Sequence, residues 1–282
     1  MRRFLHLALF LAPLALAAAE PAKGCLVLAA TIGPIDAGVV PALAQAFQKE
    51  TGIQVHIIGM GTGAALDLAR RGEADLAMVH APALEEKFVK DGFGTERVPL
   101  MYNDFVILGP AADPAGIRRA STAQALKAIA AKGAPFLSRG DRSGTHVAEL
   151  ELWAKAGLHP AGAWYRVFER GSQGNKPTLL EADRLQAYTV IDRATWLTLK
   201  GQLSLQVLVE GDEALLNHIS LVPVDPKRFP AVRAAEVAAF VAWLTDPGKG
   251  QRLIASFGRE RFGQSLFFPE SRAWVARTPR QP

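Results

Sequence analysis

From residue 25 onward, short apolar runs alternate with longer segments whose apolar residues recur every three or four positions. CLVLAAT reads as a strand, and VVPALAQAFQKETG as a helix with Val40, Leu43, Ala44 and Phe47 on one face and Gly52 at its end. IQVHII predicts the next strand, followed by a GMGTG turn and the helix AALDLARRG. DLAMVH predicts a third strand, and PALEEKFVKDG a helix with Pro82 near its first turn. NDFVILGP, PFLS, QAYTVI, LQVLVEG and HISLVPVDP continue the strand series. STAQALKAIAAKG, THVAELELWAKAG, DRATWLTLKG, VAAFVAWLTD and GKGQRLIASFG continue the helices, with Ser121 placed as an N-cap and Gly133 as a terminator. This rhythm predicts an α/β architecture with a largely parallel sheet and argues against all-β and coiled-coil folds. The tail after Phe268, rich in Pro and Arg, reads as peripheral.

The first nineteen residues follow a different pattern. Arg2 and Arg3 precede a leucine-rich run that ends in Ala17-Ala18-Ala19, and 15 of the 19 positions are apolar. That is the order of a cleavable secretory signal, and His6 and Pro13 interrupt it too soon for a spanning helix. The expectation is an exported, periplasmic protein with a signal peptide at 1–19. A lysine at position 23 fits a lipoprotein signal at Cys25 poorly, so this lone cysteine reads as a small buried thiol.

Composition changes the picture in two ways. With 49% apolar and 21% charged residues, the chain has ample material for a core and is not a disordered type. The formal charge of +5 falls to +3 once Arg2 and Arg3 are set aside with the leader. The remaining basic residues are interspersed, without a basic stripe or interleaved aromatics, so nucleic acid is not an expected partner.

Three loops between a strand and a helix carry the candidate chemistry. They are Gly59–Gly63, the run Ser138-Arg139-Gly140-Asp141-Arg142-Ser143-Gly144-Thr145, and the turn opening with Asp192-Arg193. A helix N-terminus presents unpaired N–H groups and a partial positive charge, which suits an anion. In open α/β sheets ligands bind beyond the carboxyl ends of the strands, where these loops fall. Each loop also has a plainer reading: a tight turn, a capped helix start with Asp141 or Ser143 as N-cap, and an ion-paired Arg193.

Enzyme chemistry lacks a constellation. Ser143 and His146 share one helix start in a G-x-x-S-G string, not the G-x-S-x-G of a hydrolase elbow. His56, His80, His146, His159 and His218 are scattered without metal-ligand spacing, and one cysteine cannot build a thiolate site. Gly59–Ala64 mimics a dinucleotide fingerprint only weakly, and no G-K-[ST] follows. No catalytic residue, metal ligand or cofactor is expected.

At these loops the chain resembles the periplasmic tungstate-binding proteins of ABC transporters, within the wider molybdate, sulfate and phosphate-type solute-binding superfamily. The strings that carry the resemblance include GTGAALDLARRGEADLAMVHAPALEEKFVKDGFG, MYNDFVILGPAADPAGI, SRGDRSGTHVAELELWAKAG, AYTVIDRATWLTLK, VLVEGDEALLN, WLTDPGKGQRLI and LFFP, in order along nearly the whole chain. The resemblance implies a two-lobed type II binding-protein fold, with lobe I at 20–107 and 218–282 and lobe II at 108–217. The crossing strands would lie near 107–109 and 218–222. It also implies a small oxyanion in the cleft, tungstate first and molybdate second, delivered by a monomer to an ABC permease in the inner membrane. Carried over by position, the ligand-binding residues are Thr31 and Gly33 of the first loop, Thr62, Gly63 and Ala64 of the G-T-G loop, and Arg139, Ser143, Gly144 and Thr145. Arg193 is a further candidate.

One segment departs from the family pattern. A Thr/Ser run is replaced by Ala30-Thr31-Ile32-Gly33-Pro34-Ile35-Asp36, which removes hydroxyl donors, adds a proline without an N–H and brings Asp36 toward the anion's place. A small organic carboxylate held by Arg139 is therefore the alternative ligand. Presentation of an anion to a membrane sensor is the alternative role.

Overall fold

The computed structural model describes residues 24–277, so the signal segment at 1–19 lies outside the described residues. The elements run β1 (Cys25–Thr31), α1 (Ile32–Asp36), α2 (Val39–Thr51), β2 (Gln54–Met60), α3 (Thr62–Arg70), β3 (Leu76–Val79), α4 (Pro82–Lys90) and β4 (Val98–Gly109). They continue with α5 (Thr122–Lys132), β5 (Phe136–Ser138), α6 (Gly144–Lys155), β6 (Tyr165–Val167), α7 (Asn175–Leu185), β7 (Thr189–Asp192), α8 (Arg193–Leu199) and β8 (Gln206–Val209). Last come β9 (Leu216–Pro223), α9 (Ala234–Thr245), α10 (Gly250–Ser256), α11 (Arg259–Phe262), β10 (Phe268–Pro269) and α12 (Arg272–Arg277). The fold is mixed α/β around a sheet whose parallel part is β2-β1-β3.

Strand β4 organises the molecule. Over Val98–Asp104 it pairs antiparallel with β9, and β9 in turn pairs with β3. From Phe105 onward its partners become β7 and β8. The change of partner falls at Asp104/Phe105, a few residues ahead of 107–109. The returning strand β9 begins opposite the same point, with Leu216 facing Asp104.

From Phe105 onward β4 buries alternate residues on opposite faces, as the pleat requires. Phe105 and Ile107 join a core with Ile117, Leu126, Ile129, Trp153 and Tyr188, while Val106 and Leu108 join Leu137, Leu179 and Ile191. On the other side of the partner change, Leu26, Leu28 and Ala30 pack with Phe47, Phe240 and Ile254. Ala29, Ala77 and Val79 face Leu66 and Phe88. Each sheet region therefore carries helices on both faces, which is why its strands read as continuous apolar runs.

Local signals set the helix ends. Ser121 and Gln124 form a capping box at the start of α5, and Gly133 ends it in the left-handed region. Gly52, at φ +78°, closes α2.

Two expectations are corrected. Cys25 is exposed, because it is the first residue of β1, at the end of the sheet. The segment after Phe268 is anchored: β10 pairs with β4, Phe268 stacks on Tyr102, and buried Ser271 donates its N–H to Oε1 of Gln251.

Candidate functional site

The carboxyl ends of β1, β2 and β3 lie side by side, with Thr31 opposite Met60 and Ala30 opposite Met78. The chain leaves β2 through Gly61 and turns at once into α3, so the N–H groups of Thr62, Gly63 and Ala64 form its first turn. No carbonyl of their own helix reaches those donors. Gly63 and Ala64 are exposed, while Thr62 is half-buried and its Oγ1 accepts from the backbone N–H of His80 at 3.5 Å. Thr31 is 2% exposed, and its Oγ1 has no hydrogen-bond partner. A buried hydroxyl without a partner is costly, and Thr31 shares this state with the Thr122 hydroxyl and the Trp196 indole N–H.

The departing first loop is a short helix, not an open loop. Pro34 is its third residue, where the missing N–H has no role in the helix. Gly33 is exposed on α1, and Ile32 and Ile35 approach Gly59 at the end of β2. Asp36 ends α1 as an exposed residue, about 7 Å along the axis from Thr31.

A second helix start comes from the other sheet region. Ser143 is the N-cap of α6 and accepts from the N–H of His146 at 3.4 Å, so the capping reading of this serine holds. Gly144 and Thr145 supply the first-turn N–H groups, and Thr145 is buried. The loop before them is tightly determined. Gly140 has φ +70°, and a Cβ there would stand 2.1 Å from Cγ1 of Val167. Arg142 also takes a positive φ, of 61°.

His80 joins the two helix starts. It follows β3, its backbone contacts Thr62, and its ring lies against Gly144, whose added Cβ would be 2.7 Å from Cε1. Burial holds the imidazole below its ordinary pKa, against the opposing effect of a hydrogen bond with Asn217. Asn217 in turn donates to Oδ1 of Asn103 at 2.7 Å, and these two asparagines face each other where β4 and β9 meet. Sequence reading left His80 as a histidine at a strand end and did not single out Asn103 or Asn217. Only the strand-end position of His80 pointed this way.

Arg139 is held by three partners. Its Nε donates to the carbonyl of Gly171 at 3.1 Å, Nη1 donates to Oδ1 of Asn175, and Nη2 pairs with Oδ2 of Asp141 at 2.8 Å. Asn175 passes the chain on, donating to Oδ2 of Asp192, which also accepts from the Thr195 hydroxyl. Gly171 has to be glycine, since a Cβ would stand 1.8 Å from the Arg139 carbonyl oxygen.

Arg193 is committed elsewhere. Both Nε and Nη2 grip the carboxylate of Asp104, and Nη1 pairs with Glu210 at 2.8 Å. The ion-paired reading of this residue is the one the geometry favours. Asp104 is the residue at which β4 changes partner, so this pair clamps α8 to the crossing point.

Nothing at this site resembles a reaction centre. No group of three or more His, Cys, Asp or Glu side chains that could hold a metal occurs among the described residues. An open pocket of about 650 Å³ is lined by Pro82, Arg97, Pro99, His218 and Glu270 among others, and by no residue of either helix start. What His80 brings together is two helix N-termini, whose first-turn N–H groups are donors of the kind that suit a small anion.

Comparison with known proteins agrees with that chemistry. Residues 17–247 match the PBP superfamily domain. The tungstate-binding protein TupA of Peptoclostridium acidaminophilum is 40% identical over 253 residues, which are 89% of this chain and 87% of that protein. The solved structure of the tungstate-binding protein TupA from Desulfovibrio alaskensis G20 aligns with a TM-score of 0.80 at 40% identity, covering 88% of this chain and 99% of the other. A tungstate ABC transporter structure from Geobacter sulfurreducens aligns with a TM-score of 0.69 at 42% identity, covering 83% and 98%. The chain belongs to the tungstate-binding protein family of ABC transporters, within the PBP superfamily.

Proposed function

We propose that this protein binds tungstate, and molybdate less tightly, and delivers it to an ABC permease of the inner membrane. The observation that carries the reading is the meeting of the α3 and α6 N-termini across His80, beside the partnerless hydroxyl of Thr31. Anion binding by first-turn N–H groups needs no counter-cation, and glycines at 63 and 144 let the backbone come close. The binding set is Thr31, Thr62, Gly63, Ala64, Arg139, Ser143, Gly144 and Thr145. Gly33, an exposed first-turn residue of α1 as Gly63 is of α3, belongs with it, whereas Arg193 lies outside because its nitrogens hold Asp104 and Glu210.

The lobes are 20–107 with 218–282, and 108–217. The change of partner along β4 at Asp104/Phe105 supports a division close to those limits. Ligand binding closes one lobe on the other by a hinge at these strands. A signal at 1–19 and the family's transport role support a periplasmic location; no helix among the described residues is long and apolar enough to cross a membrane.

Titration calorimetry with tungstate, molybdate, sulfate and phosphate tests the reading. Tungstate gives the largest affinity, and native mass spectrometry of the loaded protein shows one added oxyanion. Absence of heat with every oxyanion would overturn it.

A further inference from the structure

The carboxylate of Asp141 stands on the donors that an oxyanion needs. Its Oδ2 pairs with Nη2 of Arg139 at 2.8 Å, and its Oδ1 accepts from the backbone N–H of Ser143 at 3.1 Å, at the N-cap of α6. A guanidinium and a helix-start N–H bridged by one small anionic group are the contacts a bound oxyanion would make. The side chains of Arg139 and Asp141 are 14% and 12% exposed, so the pair is shielded from the screening that weakens a surface bridge.

The surrounding backbone aims this carboxylate. Asp141 lies between Gly140 at φ +70° and Arg142 at φ +61°, two left-handed positions that fold the loop back on itself. The other two contacts of Arg139 go to neutral groups, the Gly171 carbonyl and the Asn175 amide. Loss of the Asp141 contact therefore leaves the guanidinium held in place while exposing a charged donor.

We propose that Asp141 is an internal competitor for the oxyanion site: its carboxylate sits on Arg139 and the α6 N-terminus, and the incoming anion displaces it. This rests on the tungstate-binding reading above. Displacement subtracts the same free energy from every anion that uses Arg139. Abundant, weakly held anions such as chloride then fall below occupancy, and a doubly charged tetrahedral oxyanion with many acceptors still binds. Asp141 thus sets which anions fill the site without touching the one that does.

Two measurements on the full mature chain decide it. In a crystal structure with tungstate bound, Oδ2 of Asp141 lies beyond about 4 Å from Nη2 of Arg139, outside ion-pair range. Asp141→Asn keeps an acceptor for the Ser143 N–H and removes the charge. By calorimetry it binds tungstate about tenfold more tightly or better, the scale of one charge-assisted hydrogen bond that need not be broken. Its tungstate affinity also becomes more sensitive to added chloride than that of the wild type. Asp141→Ser, with the charge removed by a different side chain, gives the same direction, and Asp36→Asn, which removes an exposed acid, changes affinity less than about twofold. An Asp141–Arg139 contact that persists beside bound tungstate overturns the proposal, as does equal or weaker binding by both Asp141 variants. Arg139→Ala separates the two levels. If it binds tungstate like the wild type, the site reading fails; if it loses tungstate while the Asp141 variants bind no tighter, the site stands and the competitor role falls.

Discussion

The ring of His80 lies where a side chain on Gly144 would project, with Cε1 2.7 Å and Nε2 2.9 Å from an ideal Cβ. The contact ties the end of β3 to the start of α6, and through Thr62 to the start of α3. His80 thus bridges the two helix starts of the proposed site.

Gly144→Ala forces that contact apart. The added methyl meets an imidazole that Asn217 and the Thr62 backbone contact hold in place, so α6 retreats with its first-turn N–H groups. Overpacking of this kind costs about 1–3 kcal/mol of stability, and the retreat of these N–H groups would weaken tungstate binding by about tenfold, the loss of one hydrogen bond to a charged group. Calorimetry reads the loss. Adding His80→Ala to the same chain relieves the crowding and recovers part of it; unchanged binding by the single variant would remove this contact from the bound form.

Arg139→Ala removes a guanidinium ahead of the α6 N-terminus and leaves Asp141 and Asn175 without their shared partner. Loss of a charge-assisted, geometrically fixed donor costs about 1.5–3 kcal/mol. Tungstate affinity falls by at least about tenfold in titration calorimetry. Arg139→Lys recovers little, because a point charge cannot serve Gly171, Asn175 and Asp141 together.

The legible and the illegible parts of this molecule divide along physical lines. Strands such as β1 and β7 were readable because burial on both faces leaves runs of adjacent apolar residues, Leu26–Ala30 and Val190-Ile191. The α5 boundaries were readable because Ser121 and Gly133 act within one turn. Helices α1 and α7 were missed for one reason. Gly33-Pro34 and Gly174 with Pro177 look like turns, yet each proline is the third residue of its helix, where no intrahelical N–H bond is lost. The first half of β4 was hidden by Pro99, which sits at an irregularity in the pairing with β9. At the site, the helix starts could be read locally, whereas two of the three partners that fix Arg139 lie 32 and 36 residues further along. No spacing rule reaches that far.

Arg193→Ala separates a structural arginine from a binding one. Asp104, 7% exposed, would lose the bidentate partner that neutralises it at the crossing point of β4. An uncompensated buried carboxylate costs about 3 kcal/mol, or about 6–12 °C in melting temperature for a chain of this size. Tungstate affinity changes less than in Arg139→Ala. A variant that melts like the wild type but no longer binds tungstate would make Arg193 a ligand group.

Glu149 makes stability depend on pH in a direction opposite to that of most carboxylates. It is 3% exposed on α6 and accepts from the Ser138 hydroxyl at 2.6 Å, Trp153 Nε1 at 3.0 Å and the Tyr165 hydroxyl at 2.8 Å. Burial outweighs these three bonds and raises its pKa from 4.5 to about 7. Below the unfolded value both states hold the proton and the group is neutral to stability. Between the two values the folded state keeps a proton that the unfolded state has lost, so stability falls as pH rises, by about 3 kcal/mol in all. Glu149→Gln carries no such charge. Its Oε1 still accepts from Trp153 and Tyr165, and its amide can donate to a reoriented Ser138 hydroxyl. Urea melts from about pH 4.5 to 8 should show the wild type losing stability relative to the variant across that window, with the gap levelling off above about pH 7. Parallel pH profiles for the two proteins would show that Glu149 is already ionised throughout, and would return its pKa to the ordinary carboxylate range.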